Sequence, residues 1–191
     1  METAALLEEA IAYALDAVGP VTAASLGRPT PCRDWDLAAL LRHAAGSVDA
    51  LAEAAATGAV RLVPDAVTDA DDPAAAFRNG AARLLEVWTA ADRGTRAVVI
   101  GGAPLRADVV AATGAIEIAV HGWDAAWAAG GPRPIPTGLA TRLLRPASEL
   151  VTADTRAGLF GPPLPVPPDA GPHERLLAHL GRDPARQPRA A

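Results

Sequence analysis

A carboxylate and an imidazole lie four residues apart in the segment IEIAVHGWDAAW, which is otherwise mostly apolar. On an α-helix, this spacing brings Glu117 and His121 to the same face, one turn apart. Burying either group costs free energy unless it finds a polar partner. The pair therefore predicts one of two arrangements: hydrogen bonds in a packed core, or two ligands of a metal ion.

Two further polar residues extend this pair along the same helix face. Thr113 lies four residues before Glu117, and Asp124 lies three residues after His121. Steps of three and four stay close to whole helical turns, so the four side chains should form one line. Asp124 is the candidate catalytic residue, because it could orient His121 from behind or contact a substrate. There are two alternatives: Asp124 is an ordinary solvated carboxylate, or all four side chains of this line face solvent.

A third metal ligand must come from another helix, because metal sites in helical bundles draw their ligands from facing helices. The remaining histidines are His43, His173 and His179. His43 lies inside a predicted long helix, whereas the other two follow a proline-rich segment and are predicted to be surface or capping groups. The predicted ligands are therefore His43, Glu117 and His121. Two imidazoles and one carboxylate leave coordination positions open, as in catalytic metal sites.

Other residues near these motifs have both a functional and a structural interpretation. Arg33 and Arg42 flank the helix that carries His43 and could hold an anionic thiol or a carboxylate, although surface arginines are common. Cys32 could be a reactive thiol near a helix start, but packing in its loop is the favoured interpretation. Three tryptophans could form pocket walls or simply fill the core: Trp35, Trp123 and Trp127.

Composition excludes several classes of function. The net charge of −5 provides no basic footprint for nucleic acid. The sequence contains no run of 18 apolar residues that would predict a membrane span. The N-terminal METAALLEEA lacks the pattern of a signal peptide. The single cysteine excludes an internal disulfide and is consistent with a reducing compartment. We therefore expect a cytoplasmic protein that acts on a small molecule, without nucleic-acid or membrane partners.

Helical periodicity and end signals predict an all-α fold, consistent with the abundance of alanine and an aromatic content of only 4%. Asp36 and Asp72 are predicted N-caps, and Gly58 and Gly130 are predicted helix ends. The stretch RAVVIGGAPLRA predicts a minor β-hairpin. The predicted helices cover about 3–19, 37–58, 73–92, 107–129, 137–152 and 173–181.

These elements predict one domain over residues 1–191, built as a four-helix bundle with a short C-terminal helical extension. A segment with many prolines, 159–172, precedes the last short helix and should be extended. A homodimer could form through an apolar helix face, but the sequence does not indicate which face.

Three ordered motifs resemble a known family. PTPCRDWDLAALLRHAAG is similar to a TPC…W loop followed by a capped helix that ends in L-L-x-H-x-x-G. EIAVHGWDAA is similar to the E-x-x-x-H-x-W-D segment of the same family, and the closing stretch FGPPLPVPPDAGPHERLLAHLGRDP also resembles it. The family is the DinB-like metalloprotein superfamily, in its actinobacterial branch resembling the metal-binding domain of mycothiol-dependent maleylpyruvate isomerase.

The resemblance implies a DinB-like, up-and-down four-helix bundle with a long crossover connection and a divalent metal, most often zinc. The ligands that it carries over are His43, Glu117 and His121, the same three that the spacing indicates. It also implies thiol chemistry, because members include thiol S-transferases and thiol-dependent isomerases that use mycothiol. Two alternatives stay open at this stage: a thiol-independent metal isomerase, cyclase or lyase, and a metal- or ligand-binding protein without turnover.

Overall fold

A computed structural model describes residues 2–32, 35–60, 71–90, 97–131 and 133–186. Arg33, one of the residues considered above, lies outside these ranges, as do the last five residues, 187–191. The described residues form seven α-helices: α1 Glu2–Val18, α2 Leu37–Thr57, α3 Pro73–Ala90, α4 Ala107–Ala129, α5 Thr137–Leu150, α6 Ala153–Arg156 and α7 Pro172–His179. No helix within these ranges is long and apolar enough to cross a membrane.

The helix ends follow the chemistry predicted for them. The Asp36 carboxylate accepts a hydrogen bond from the Ala39 amide (2.8 Å), so α2 begins with an N-cap. Asp72 caps α3 in the same way, with 2.9 Å to the Ala75 amide. At the other end of α2, Gly58 adopts a φ of 74°, a left-handed conformation that favours glycine.

Helix α4 lies at the centre of the core, as its apolar circumference predicts. Almost every residue of α4 from Val110 to Ala128 is buried. Helix α1 packs mainly against α4, and α2 packs against both α3 and α4. Helix α5 contacts α4 and α7. This packing places α2 directly beside the polar line of α4, and the predicted all-α class is confirmed.

A small sheet is larger than the predicted hairpin. Strands β2, Ala97–Ile100, and β3, Ala103–Arg106, pair antiparallel as expected. A third strand, β1 at Ala59–Val60, pairs parallel with β2. The sequence analysis missed β1, because two residues after a helix are too short for a periodic signal. It also missed α6, which is a single short turn.

The proline-rich segment returns to the helices rather than leaving them. The Leu164 amide donates to the carbonyl oxygen of Ala178 at the end of α7. The Trp127 indole donates to the carbonyl oxygen of Arg186, 2.8 Å away, which ties the end of the described chain to α4. The C-terminal extension is therefore packed against the helix that carries the polar line.

A close contact between α1 and α4 yields a stability prediction. A methyl group at Gly122 would lie 2.9 Å from Ala14 Cβ and 3.0 Å from Ala14 Cα, which is tighter than packing allows. We expect Gly122→Ala to destabilise the protein, because overpacking costs about 1–3 kcal/mol and the better helix propensity of alanine returns only about 1 kcal/mol. Urea unfolding of the metal-free protein measures the change.

The matched control is Gly46→Ala on α2. Nothing lies within 4 Å of a methyl group at Gly46, which is exposed. There, the gain in helix propensity should appear alone, as a stabilisation of up to about 1 kcal/mol. Equal responses at Gly46 and Gly122 would contradict the close approach of α1 and α4.

Candidate metal centre

Three side chains from two helices converge where α2 faces α4. His43 lies on α2, and Glu117 and His121 lie one turn apart on α4. Each offers a ligand atom, and these atoms all lie within 4.8 Å of one another. The structure therefore brings together the three residues that the sequence analysis proposed as metal ligands.

Glu117 is the shared acceptor of this cluster. Its Oε1 atom lies 2.5 Å from His43 Nε2 and 3.2 Å from His121 Nε2. The hydroxyl of Ser47 donates to the same oxygen over 3.4 Å. The sequence analysis missed Ser47, although its place one helical turn after His43 was an available signal.

Burial increases from His43 on α2 inwards along the polar line of α4. Side-chain exposure falls from 40% at His43 and 27% at Glu117 to 8% at His121 and zero at Asp124. Thr113, at the outer end, is exposed and donates to the Val109 carbonyl of its own helix, so it does not join the cluster. The cluster is thus open to solvent at His43 and closed at Asp124.

Asp124 lies behind His121. Its Oδ2 atom is 3.0 Å from His121 Nδ1, so the imidazole is held between two carboxylates. Because Asp124 is fully buried, the alternative of a solvated carboxylate is wrong. Asp124 therefore contacts the ring nitrogen of His121 that points away from Glu117, and it lies on the closed side of the cluster.

Arg182 neutralises Asp124 from the C-terminal extension. Its Nη2 atom donates to Asp124 Oδ2 over 3.0 Å, its Nε atom to Oδ1 over 3.4 Å, and its Nη1 atom to the Leu180 carbonyl. Only 7% of Arg182 is exposed. The sequence analysis did not identify Arg182, because an arginine just after a short terminal helix is ordinarily a surface residue.

Cys32 joins the same inner group. Its sulfur accepts a hydrogen bond from Arg182 Nη2 over 3.1 Å, and its thiol faces Asp124 Oδ2 at 3.8 Å. Cys32, His121 and Asp124 also lie within ligand distance of one another. The Arg182 guanidinium contacts both the sulfur and the Asp124 carboxylate and so supplies the positive charge of this inner group. A structural role for Cys32 is therefore the better interpretation.

Burial and hydrogen bonds act in opposite directions on the pKa values of the two carboxyl groups, Glu117 and Asp124. Burial alone would raise the pKa of the Glu117 carboxyl, but hydrogen bonds from His121 and His43 outweigh it and hold that pKa well below its ordinary value of 4.5. For Asp124, burial again acts to raise the pKa, and the charge of Arg182 together with the His121 hydrogen bond lowers it. Both carboxylates are therefore ionised at neutral pH.

His121 responds in the opposite direction. Burial acts to lower its pKa, but hydrogen bonds with Asp124, Cys32 and Glu117 raise it well above the ordinary value of 6.5. In the metal-free protein, His121 is consequently a protonated imidazole at neutral pH, with Nδ1–H donated to Asp124 and Nε2–H to Glu117.

The donor set fits a divalent metal. Because Nδ1 of His121 donates to Asp124, Nε2 is the nitrogen left to bind an ion once its proton leaves. His43 also presents Nε2 to the same carboxylate oxygen. An ion among these three donors would replace the protons that now join them, and the His₂Glu set is one of the ligand sets of catalytic zinc sites.

Trp35 forms an aromatic wall beside both imidazoles. Its ring centroid lies 4.6 Å from that of His43 and 6.1 Å from that of His121. The other two tryptophans considered above are buried elsewhere on α4: Trp123 contacts the ring of His173, and Trp127 binds the Arg186 carbonyl. Of the three, only Trp35 lies at the cluster.

Arg42 lies on α2 next to His43 and is partly buried. The hydrogen bonds that join the cluster within the described ranges do not involve its guanidinium, so its role in holding a cosubstrate stays a prediction.

The two remaining histidines lie outside the cluster. His173 accepts a hydrogen bond from the Ile135 amide, and burial lowers its pKa despite the opposing charge of Glu174. His179 lies 3.2 Å from the Ala147 carbonyl of α5. Both are partly buried and contact backbone groups of the segments next to α7.

Comparison with known proteins shows the family to which this chain belongs. Residues 7–126 match the family model described as the mycothiol maleylpyruvate isomerase N-terminal domain. Two uncharacterized proteins from two strains of Mycobacterium tuberculosis are each 30% identical to the chain over 166 residues, which cover 85% of this chain and 87% of the relative.

Two solved structures share the fold. A crystal structure of the mycothiol-dependent maleylpyruvate isomerase aligns with a TM-score of 0.56 at 20% identity, over 79% of this chain and 69% of that one. A crystal structure of a histidine-to-alanine mutant of that isomerase aligns with a TM-score of 0.60 at 18% identity, over 97% of this chain and 81% of the other. The DinB-like fold class predicted from the motifs is confirmed.

Proposed function

Because the chain belongs to the family of mycothiol maleylpyruvate isomerase N-terminal domains, we propose that it is a divalent-metal-dependent enzyme that uses mycothiol in S-transfer or isomerisation. The observation that carries this proposal is the convergence of His43, Glu117 and His121 on one point between α2 and α4. Zinc is the proposed metal, because it favours nitrogen and carboxylate ligands in open catalytic sites.

Such an ion would supply one kind of chemistry: it deprotonates a coordinating thiol and lowers the pKa of a coordinating water to about 7. The protein's own residues set the geometry. Asp124 fixes the tautomer and ring orientation of His121, and Arg182 keeps Asp124 ionised in a buried position. Ser47 donates to Glu117 and helps to hold its carboxylate between the two helices.

The reaction that fits this site is addition of a thiolate sulfur to an electrophilic carbon. A carbon–sulfur bond forms, and the electron pair of the attacked double bond moves to the adjacent carbon, where a proton is added. The result is a thioether, as in S-transfer. If the carbanion is not protonated, it can rotate about the carbon–carbon bond that was the double bond. Its electron pair then re-forms the double bond as the carbon–sulfur bond breaks, which releases the thiolate and gives the cis–trans isomer. We propose that Arg42 binds an anionic group of the cosubstrate.

The test is to incubate the zinc-loaded protein with mycothiol and a panel of α,β-unsaturated acids, with metal-free protein and thiol-free mixtures as controls. We expect a thioether, or isomerised acid without consumption of thiol, that requires both the metal and mycothiol. Turnover without thiol would instead favour a thiol-independent isomerase, cyclase or lyase. Tight ligand binding without turnover across the panel would favour a non-catalytic binding protein.

The raised pKa of His121 yields a prediction about pH. Because metal-free His121 holds a proton on the nitrogen that would bind the ion, zinc must displace that proton. Below the raised pKa, affinity should therefore increase by about tenfold per pH unit, through the neutral range, with release of about one proton. Competition titrations with a chromophoric chelator, and calorimetry in two buffers of different ionisation enthalpy, measure both quantities. Affinity that is independent of pH across this range would contradict the protonated state of His121.

A further inference from the structure

The two imidazoles of the cluster are held very differently. His121 is buried and hydrogen-bonded through both ring nitrogens, to Asp124 and to Glu117. The His43 side chain is 40% exposed. Within the described ranges its ring makes one hydrogen bond, from Nε2 to Glu117. A ligand histidine normally has a partner on its second nitrogen that fixes the ring, and His43 needs another means of support.

The Trp35 ring is placed to give that support. Its centroid lies 4.6 Å from the His43 ring, with 46° between the two planes, which is the range of favourable contacts between aromatic rings. It also reaches the inner histidine, with 6.1 Å between the centroids of Trp35 and His121. The indole is partly buried and packs against the core, so its position is defined on the side away from the cluster.

The backbone around Trp35 is fixed by its own hydrogen bonds. The Trp35 carbonyl accepts from both the amide and the hydroxyl of Thr30, at 3.2 and 2.9 Å. The Trp35 amide donates to the Cys32 carbonyl, and the sulfur of Cys32 is bound by Arg182. The next residue, Asp36, caps α2, the helix that carries His43. The indole and the imidazole are thus attached to one connected framework.

We propose that Trp35 is a positioning residue for the metal site, holding the His43 ring in the orientation that presents Nε2 to the ion. This inference rests on the proposed function, because it requires that His43 is a ligand. The ring contact takes the place of the hydrogen bond that Asp124 provides to His121. Loss of the indole should therefore loosen the exposed ligand while leaving the buried one in place.

The test measures zinc affinity in metal-free protein by chelator competition. We expect Trp35→Ala to weaken binding by about 10- to 100-fold, the range known for loss of groups that orient a ligand, mainly through faster zinc dissociation. Trp35→Phe retains an aromatic face and should stay within about threefold of the wild type. The matched control is Trp88→Ala on α3, which removes another partly buried tryptophan that makes no ring contact with either imidazole among the described residues.

The outcomes separate this inference from the proposed function. If the wild type binds no zinc at the cluster, the proposed function fails and the inference fails with it. If the wild type binds zinc and Trp35→Ala binds it equally well, only the inference is overturned. An equal loss of affinity in Trp35→Ala and Trp88→Ala would also overturn it, because a general loss of packing would then explain both.

A second measurement does not depend on the alanine variant folding. Cobalt(II) quenches the fluorescence of nearby indoles, and Trp35 is the tryptophan whose ring contacts the cluster. Binding of cobalt should quench wild-type emission more than that of Trp35→Phe, because only the wild type carries an indole beside the His43 ring. Equal fractional quenching in the two proteins would overturn the inference, since Trp35 would then not lie beside the bound ion.

Discussion

A protein in which His121 is replaced by alanine is expected to bind zinc more than about a hundredfold less tightly than the wild type. This lower bound follows because even the loss of groups that only orient a ligand costs about 10- to 100-fold in affinity. His121 supplies the most deeply held nitrogen of the cluster, since Asp124 behind it fixes its ring. Metal analysis of the purified proteins and chelator competition measure the loss, and metal- and mycothiol-dependent turnover should fall with it.

The chain offers its own matched controls for this experiment. His173 and His179 lie outside the cluster and hydrogen-bond to backbone groups near α5. Replacing either by alanine should leave zinc binding within about threefold of the wild type, because each imidazole hydrogen-bonds to a backbone group away from the cluster and therefore neither binds nor orients a proposed ligand. Unfolding of each metal-free variant checks that the fold persists. A His121→Ala protein that retains one tightly bound zinc would contradict the proposed site.

Replacing Arg182 by methionine should destabilise the metal-free protein by about 3–5 kcal/mol, the usual cost of removing one partner of a buried ion pair. The guanidinium contacts Asp124 through two nitrogens, and neither residue is exposed enough for water to take its place. Methionine keeps an unbranched side chain in the space of the aliphatic part of arginine, but it leaves the Asp124 charge with His121 as its remaining charged partner. Urea unfolding measures the change.

A double-mutant cycle assigns this cost to the pair. Asp124→Asn removes the charge that Arg182 balances, so the Arg182→Met change should cost less in that background, with a coupling of about 0.5–3 kcal/mol. Arg83→Met is the surface control, since Arg83 and Asp49 are both more than half exposed and exposed pairs contribute about 0–1 kcal/mol. Equal costs for Arg182→Met and Arg83→Met would contradict a buried pair.

Local signals were sufficient to predict the long helices of this fold. The helix ends at Asp36, Gly58 and Gly130 were predictable because caps and left-handed glycines act over a few residues. The burial of α4 followed from its apolar circumference. Strand β1 was not predictable, because two residues gain a partner only when β2 folds beside them.

The sequence by itself determined which groups can act together on α4, because the spacing of Glu117 and His121 fixes their common face. It also indicated His43 as the remaining histidine within a long helix. The proposed role of all three as metal ligands is the hypothesis that the experiments above test.

Only the tertiary structure decided what surrounds these residues. Arg182 lies 58 residues after Asp124, and Trp35 lies eight residues before His43, on a loop rather than on the helix. No periodicity links such positions; they meet because the C-terminal extension and the loop before α2 fold onto α4. A buried carboxylate needs a partner, but the sequence cannot say which of 17 arginines supplies it.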